Sequence, residues 1–384
     1  MILALLLAIS APAPAAADPD VEAVKSAAAA FSPHMNESGT WIHGKDADHL
    51  LAAQWRTVQT WAAHWLDRHP GATPAQLEKA GKALGTDEWF FSAASLGHGD
   101  MLVSAANGPA TAFILGRAGS GGYRLRWSIT APQARLNPIA DRRLSWWSVA
   151  GLWNNCPAPE GCAMPTTASI QRLPDAGDGA ARFSLSSAYA REMGSTGTMQ
   201  LSIWSWKNGH AQPVAFHDYS AMIEQPAPAV RGTTLHVPSK GDWQTLFACG
   251  SCFGRETDLR FAVGPGPVRM LAPVSLTPEA DLVDRVFTRV LKHQPVGTLA
   301  SPAALRVIRQ QLAGPLHEAD PDLKGFTGML SGWQRWRTHG QRWACVGTDE
   351  TGVTAFAFDS GLTRITEARI LKPDSCKGEG AHKW

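Results

Sequence analysis

The segment Met199-Gln-Leu-Ser-Ile-Trp-Ser-Trp206, followed by Lys207-Asn208-Gly209-His210 and then Pro213-Val-Ala-Phe-His-Asp-Tyr-Ser-Ala-Met222, decides the fold class. Apolar side chains alternate with others along both arms, the period of a strand with one face turned inward. Asn-Gly between the arms supplies two residues that tolerate positive φ, as a type I′ hairpin turn requires. The segment therefore predicts an antiparallel hairpin. Working outward, short runs of the same period are predicted as strands at 88–96, 100–106, 110–116, 123–130, 144–153, 181–190, 233–237, 243–248, 258–263 and 268–274. Their close spacing reads as antiparallel meanders. Prolines mark 154–167 and 224–230 as irregular breaks.

On either side of this β-rich stretch the period changes to that of a helix. Residues 20–85 predict three helices, the second carrying Leu51, Trp55, Val58, Trp61 and Trp65 on one stripe. The third opens on Thr73-Pro74 with Gln76 closing a capping box. Thr277-Pro278 and Ser301-Pro302 open two more helices within 277–313, and a last meander is predicted at 328–337, 341–346, 352–358 and 364–371. The expected class is α+β, with helices at 20–85 and 277–313 packed on antiparallel sheet. A propeller-like all-β centre is the alternative. The expected division is a signal peptide at 1–17, a helical region at 18–86, a β-rich region at 87–276, and two helices plus a meander at 277–384.

Composition limits the function classes. Of 384 residues, 44% are hydrophobic and only 18% charged, so the chain has ample material to bury a core and is not a disordered polyelectrolyte. Lys+Arg 35 against Asp+Glu 33 leaves a net charge of +2 with no long like-charge block, which excludes an electrostatic nucleic-acid binder. The apolar run at 2–9, followed by small residues with Ala15-x-Ala17 before Asp18, has the pattern of a cleaved secretory signal. Export to the periplasm or the medium is expected. The run is too short to span a bilayer, and no other stretch reads as a membrane helix.

Six cysteines behind an export signal read as disulfides. Proximity favours Cys156 with Cys162, Cys249 with Cys252 and Cys345 with Cys376; the last would close a loop worth on the order of 3 kcal/mol. Cys249-Gly-Ser-Cys252 is also the one redox motif, but a strand follows it instead of the helix that would activate a thiol. No H-E-x-x-H, P-loop or G-x-S-x-G is present, and no metal or cofactor is expected. Asp320-x-Asp322 fails as a calcium loop because Lys324 stands where an oxygen ligand belongs. His217 reads as a structural histidine, since strand alternation turns Asp218 away from it.

The remaining chemical signal is 16 tryptophans. Trp204 and Trp206 share a strand face, and Trp333 and Trp336 flank Arg335. Flat indoles beside a guanidinium suit a glycan or a peptide, so these five residues are the candidate binding site. No segment carries the signature of a named family. The expected function is a non-enzymatic envelope or secreted protein that binds a glycan, peptide or protein partner. A periplasmic hydrolase is the alternative, and thiol–disulfide activity at Cys249 and Cys252 is the third.

Overall fold

A computed structural model describes residues 18–34, 45–85, 90–106, 110–119, 121–129, 165–190, 196–222, 227–241, 255–312, 330–338, 340–348 and 352–371. Three helices lead: α1 (Pro19–Phe31), α2 (Lys45–Arg68) and α3 (Pro74–Lys82). The N-cap of α1 is Asp18, whose carboxylate accepts from the Asp20 N–H at 3.0 Å. Pro19 fits the first helical position, where no intrahelical donor is needed. The capping box at α3 forms as the sequence predicts: the Thr73 N–H donates to Gln76 Oε1 at 2.8 Å, and the Gln76 N–H donates to Thr73 Oγ1 at 3.4 Å. Along α2, Leu51, Trp55, Val58, Trp61 and Leu66 are buried. Trp65 is half-buried and stacks on His69 at 4.2 Å.

Sixteen strands among the described residues make four antiparallel sheets, each of four strands hydrogen-bonded in chain order. The first sheet is β1 (Phe90–Gly97), β2 (Asp100–Ala106), β3 (Ala110–Arg117) and β4 (Tyr123–Ile129). The second is β5 (Pro165–Leu173), β6 (Ala181–Ala190), β7 (Thr196–Lys207) and β8 (His210–Met222). The third is β9 (Ala229–Arg231), β10 (Thr234–Gly241), β11 (Arg255–Ala262) and β12 (Arg269–Ser275). Helices α4 (Pro278–Leu291) and α5 (Pro302–Leu312) precede the fourth, which is β13 (Leu330–Thr338), β14 (Gln341–Thr348), β15 (Gly352–Phe358) and β16 (Ile365–Leu371). The molecule is thus a mixed one, antiparallel sheets with a few helices.

Two sequence expectations need correction. Residues 165–167 begin β5 and are not part of an irregular loop, and β9 lies at the end of the segment read as a break. Pro165 is the first residue of β5, a position where its missing donor costs nothing. The expected strands at 144–153 and 243–248 fall outside the described residues.

Burial explains how the sheets are layered. The second sheet is apolar on both faces. Phe183, Leu185, Trp204 and Trp206 join the core shared with α1, α2, α3 and the first sheet, while Leu173, Leu201, Ile203 and Tyr219 join a core shared with the third sheet. Helices α4 and α5 bury Val283, Val286, Phe287 and Ile308 against Ala344, Val346, Phe356 and Phe358 on one face of the fourth sheet. That is the expected helix-on-sheet arrangement. Cys345, on the opposite face, is buried and disulfide-bonded. The other five cysteines lie outside the described residues, so the three expected pairings remain expectations.

His217 sits edge-on to Phe261 with ring centroids 5.6 Å apart, in keeping with a packing role. Beside it in the strand, Tyr219 is 7% exposed, and its hydroxyl lies 2.6 Å from Ser186 Oγ. Burial pushes the Tyr219 phenol up from 10.0 to about 12, against a smaller opposing effect of the Ser186 bond. The folded state therefore keeps a proton that the unfolded chain releases above pH 10. This contribution is complete below pH 10 and is lost as pH rises toward 12, a total of about 2–3 kcal/mol. Chemical denaturation at pH 9 and pH 11 is expected to show about half of that loss in the native protein and a flatter limb in Tyr219→Phe. Parallel losses in the two proteins would assign the alkaline limb elsewhere.

Candidate functional site

Three hairpin tips meet at one end of the first two sheets. Each is a turn made by residues with left-handed backbone. Gly97, His98 and Gly99 join β1 to β2 with φ of 87°, 52° and 82°. Gly177 and Gly179, at 84° and 76°, lie between β5 and β6. Asn208 and Gly209, at 52° and 81°, form the predicted tip between β7 and β8. Together they bound a cleft of about 590 Å³ whose polar lining includes His98, Asp100, Arg172, Asp175, Trp206 and Lys207.

The polar groups here are held in place. Asp100 Oδ2 accepts from the Trp206 indole N–H at 2.7 Å, which ties the first sheet to the second. The other oxygen of Asp100 occupies the space above Gly116, where a Cβ would stand 2.3 Å from it. Glycine in β3 is therefore required for this carboxylate to lie flat on the strand. Arg172 donates to the Arg182 carbonyl at 2.9 Å and to the Asp175 carboxylate. Lys207 Nζ donates to the Asp178 carbonyl at 2.6 Å. The Ala180 N–H, 3.0 Å from Asp178 Oδ1, holds that exposed carboxyl below its usual range, helped by the nearby Lys207 and Arg182 charges. Besides His98, the lining residues pair two cations, Arg172 and Lys207, with two carboxylates, Asp100 and Asp175.

The five residues singled out from the sequence do not form one site. Trp204 and Trp206 are each 4% exposed, with their faces packed in the core, so neither offers a stacking platform. The Trp204 N–H is satisfied by Ser202 Oγ at 2.9 Å. Trp206 still contributes at the edge of the cleft through its bond to Asp100. Trp333, Arg335 and Trp336 lie in β13, in a different sheet, where register pairs Trp336 with Trp343, Arg335 with Ala344 and Trp333 with Val346. Ala344 and Val346 face the helices while Cys345 packs on the other side, so the register positions of Trp333 and Trp336 fall on opposite faces. On that second face Arg369 lies over the Trp343 ring at 5.1 Å.

The residues that sequence reasoning missed are His98, Asp100, Arg172, Asp175 and Lys207. The turn signal Asp175-Ala-Gly-Asp-Gly179 is present in the sequence and marks the tip between β5 and β6, though not its neighbours in the cleft. Among the described residues no group of three or more histidines, cysteines or acids could hold a metal ion, and no helix is long and apolar enough to cross a membrane. The Cys249–Cys252 and 317–322 segments lie outside the described residues.

No protein-family model matches the chain. No curated protein matches it either. A solved structure similar to part of it is the β-propeller domain of Nup133 from Vanderwaltozyma polyspora, at 10% identity and a TM-score of 0.25, over 48% of this chain and 46% of that one. The chain thus spans under half of that domain, and a likeness so slight carries no argument about fold or function.

Proposed function

We propose that this chain is an exported, non-enzymatic binding protein that holds a neutral, hydroxyl-rich ligand of the glycan class in the cleft between the three hairpin tips. The observation that carries this reading is the cleft's balanced set of fixed polar groups: Arg172, Lys207, Asp175, and Asp100, which the Trp206 N–H holds in place. Matched charges favour neither an anion nor a cation, and rigidly placed polar groups are what recognition of many hydroxyls uses. Export is supported by the apolar run at 2–9 and the small residues ending at Ala17. For the fold, the chain-order pairing of the first three sheets supports the propeller-like alternative for the β-rich centre, with the helices as additions to it.

The test is isothermal titration with soluble tetrasaccharides built from glucose and from N-acetylglucosamine, against the native protein and a Lys207→Ala/Asp175→Ala variant. Both side chains are exposed, so the variant is expected to fold normally. Binding by the native protein, weakened about tenfold or more in the variant, is the expected result. Absence of binding to every sugar overturns the glycan reading. Cleavage of a tetrasaccharide on incubation replaces the binder with the hydrolase alternative.

A further inference from the structure

A second cleft, of about 510 Å³, lies between β11 and α4, and its chemistry differs from that of the first. Its lining includes four cations, Arg255, Arg285, Arg289 and Lys292, against two carboxylates, Asp281 and Asp284. Both carboxylates already face one cation. Arg255 reaches across from β11 to Asp284 at 3.3 Å and to Asp281 at 3.7 Å. Asp284 is only 1% exposed, so its charge is buried against that guanidinium and is not presented to the cleft.

What remains is a stripe of Arg285, Arg289 and Lys292, spaced four and three residues apart on one face of α4. Arg289 is anchored, its Nη1 donating to the Pro295 carbonyl at 2.9 Å. Arg285 and Lys292 are exposed, and neither side chain has an ion pair or hydrogen bond among the described residues. Like charges at these spacings repel and weaken an isolated helix. The negative end of the helix dipole offsets this for Arg289 and Lys292 but falls away before Arg285, two turns from the end. The lining carries two more cations than carboxylates, and this excess sits in a concavity, where low-dielectric walls concentrate its field.

We propose that this cleft binds a phosphoryl group, with Arg285 and Lys292 supplying the contacts. Arg285 offers the planar fork that meets two phosphoryl oxygens at once, Lys292 adds a mobile point charge, and the anchored Arg289 between them fixes the spacing. This goes beyond the glycan reading and rests on different residues, so either can fail alone. A free phosphate ester and a phospholipid headgroup present the same chemistry, and the experiment separates them.

Full-length protein is titrated at low ionic strength with inorganic pyrophosphate and, separately, with vesicles of phosphatidylcholine containing phosphatidic acid. Each titration is repeated with an Arg285→Gln/Lys292→Gln variant and at raised potassium chloride. Thermal unfolding of the variant serves as the folding control, and little change is expected because both side chains are exposed. Binding to pyrophosphate that weakens about tenfold or more in the variant, and that falls with salt, assigns a soluble phosphoryl ligand. The same pattern confined to the vesicles assigns a headgroup. Binding to neither probe, or binding equal in the two proteins, overturns the proposal.

Discussion

Phe183→Ala is expected to lower the stability of the folded chain by about 3–5 kcal/mol, the range for removing a fully buried phenylalanine from a core that closes only partly around the void. Phe183 is completely buried and stands where the two sheets meet. Its ring meets Trp127 of the first sheet edge-on at 6.0 Å and lies parallel to Trp204 at 6.5 Å. Trp127 and Trp204 are themselves 5.3 Å apart, and Phe216 packs edge-on against Trp204 at 6.0 Å. Truncation removes apolar area and also two ring pairs, each worth about 0.5–1.5 kcal/mol beyond burial. Urea denaturation checks the single variant. A double-mutant cycle with Trp127→Ala is expected to show coupling of about 1 kcal/mol. A loss under 1 kcal/mol with no coupling would mean that the sheets are joined elsewhere.

Gly81→Leu is expected to cost about 2–3 kcal/mol, although glycine inside a helix is normally worth replacing. Leucine gains up to about 1 kcal/mol of helix propensity. Against this, a Cβ at position 81 would stand 2.3–2.5 Å from three atoms of the Phe91 ring, far inside contact distance. The ring has little room to retreat, because Phe91 is 3% exposed and meets Trp61 edge-on at 5.7 Å. Overpacking of this kind costs about 1–3 kcal/mol and sometimes more, and here the close approach of α3 to β1 is itself at stake. Combining Gly81→Leu with Phe91→Ala is expected to be milder than the two separate losses added together, since the second change vacates the space the first needs. Denaturation midpoints of the two single variants and the double variant measure this. A neutral Gly81→Leu would show that α3 can move off the sheet.

The fold was legible wherever short-range chemistry decides it. Asn208-Gly209 required a tight hairpin, and Thr73 with Gln76 required a helix start; both appear where the sequence places them. β5 was hidden because Pro165, Thr166, Thr167 and Ser169 read as loop composition. Pairing with β6 overrides that local preference. The cleft was illegible for a different reason. His98, Asp175 and Lys207 belong to three separate hairpins, and only packing of one sheet on the other brings their tips together. Trp204 and Trp206 misled because alternation shows that two residues share a face without showing whether that face is wet. The second sheet is covered on both sides, and the indoles face a core.

Within each sheet every described strand pairs with its neighbour along the chain, so no pairing within a sheet has to close more than the stretch between β10 and β11, from Gly241 to Arg255. Loop-closure entropy therefore stays small at each step. Each sheet is expected to acquire its register from its own hairpins, before the next has been synthesised. Long-range order is then left to side-chain contacts such as Trp206 with Asp100 and Phe183 with Trp127. In kinetic terms the slow event in this molecule is expected to be the docking of preformed sheets, and variants at those contacts should slow assembly more than variants in any turn.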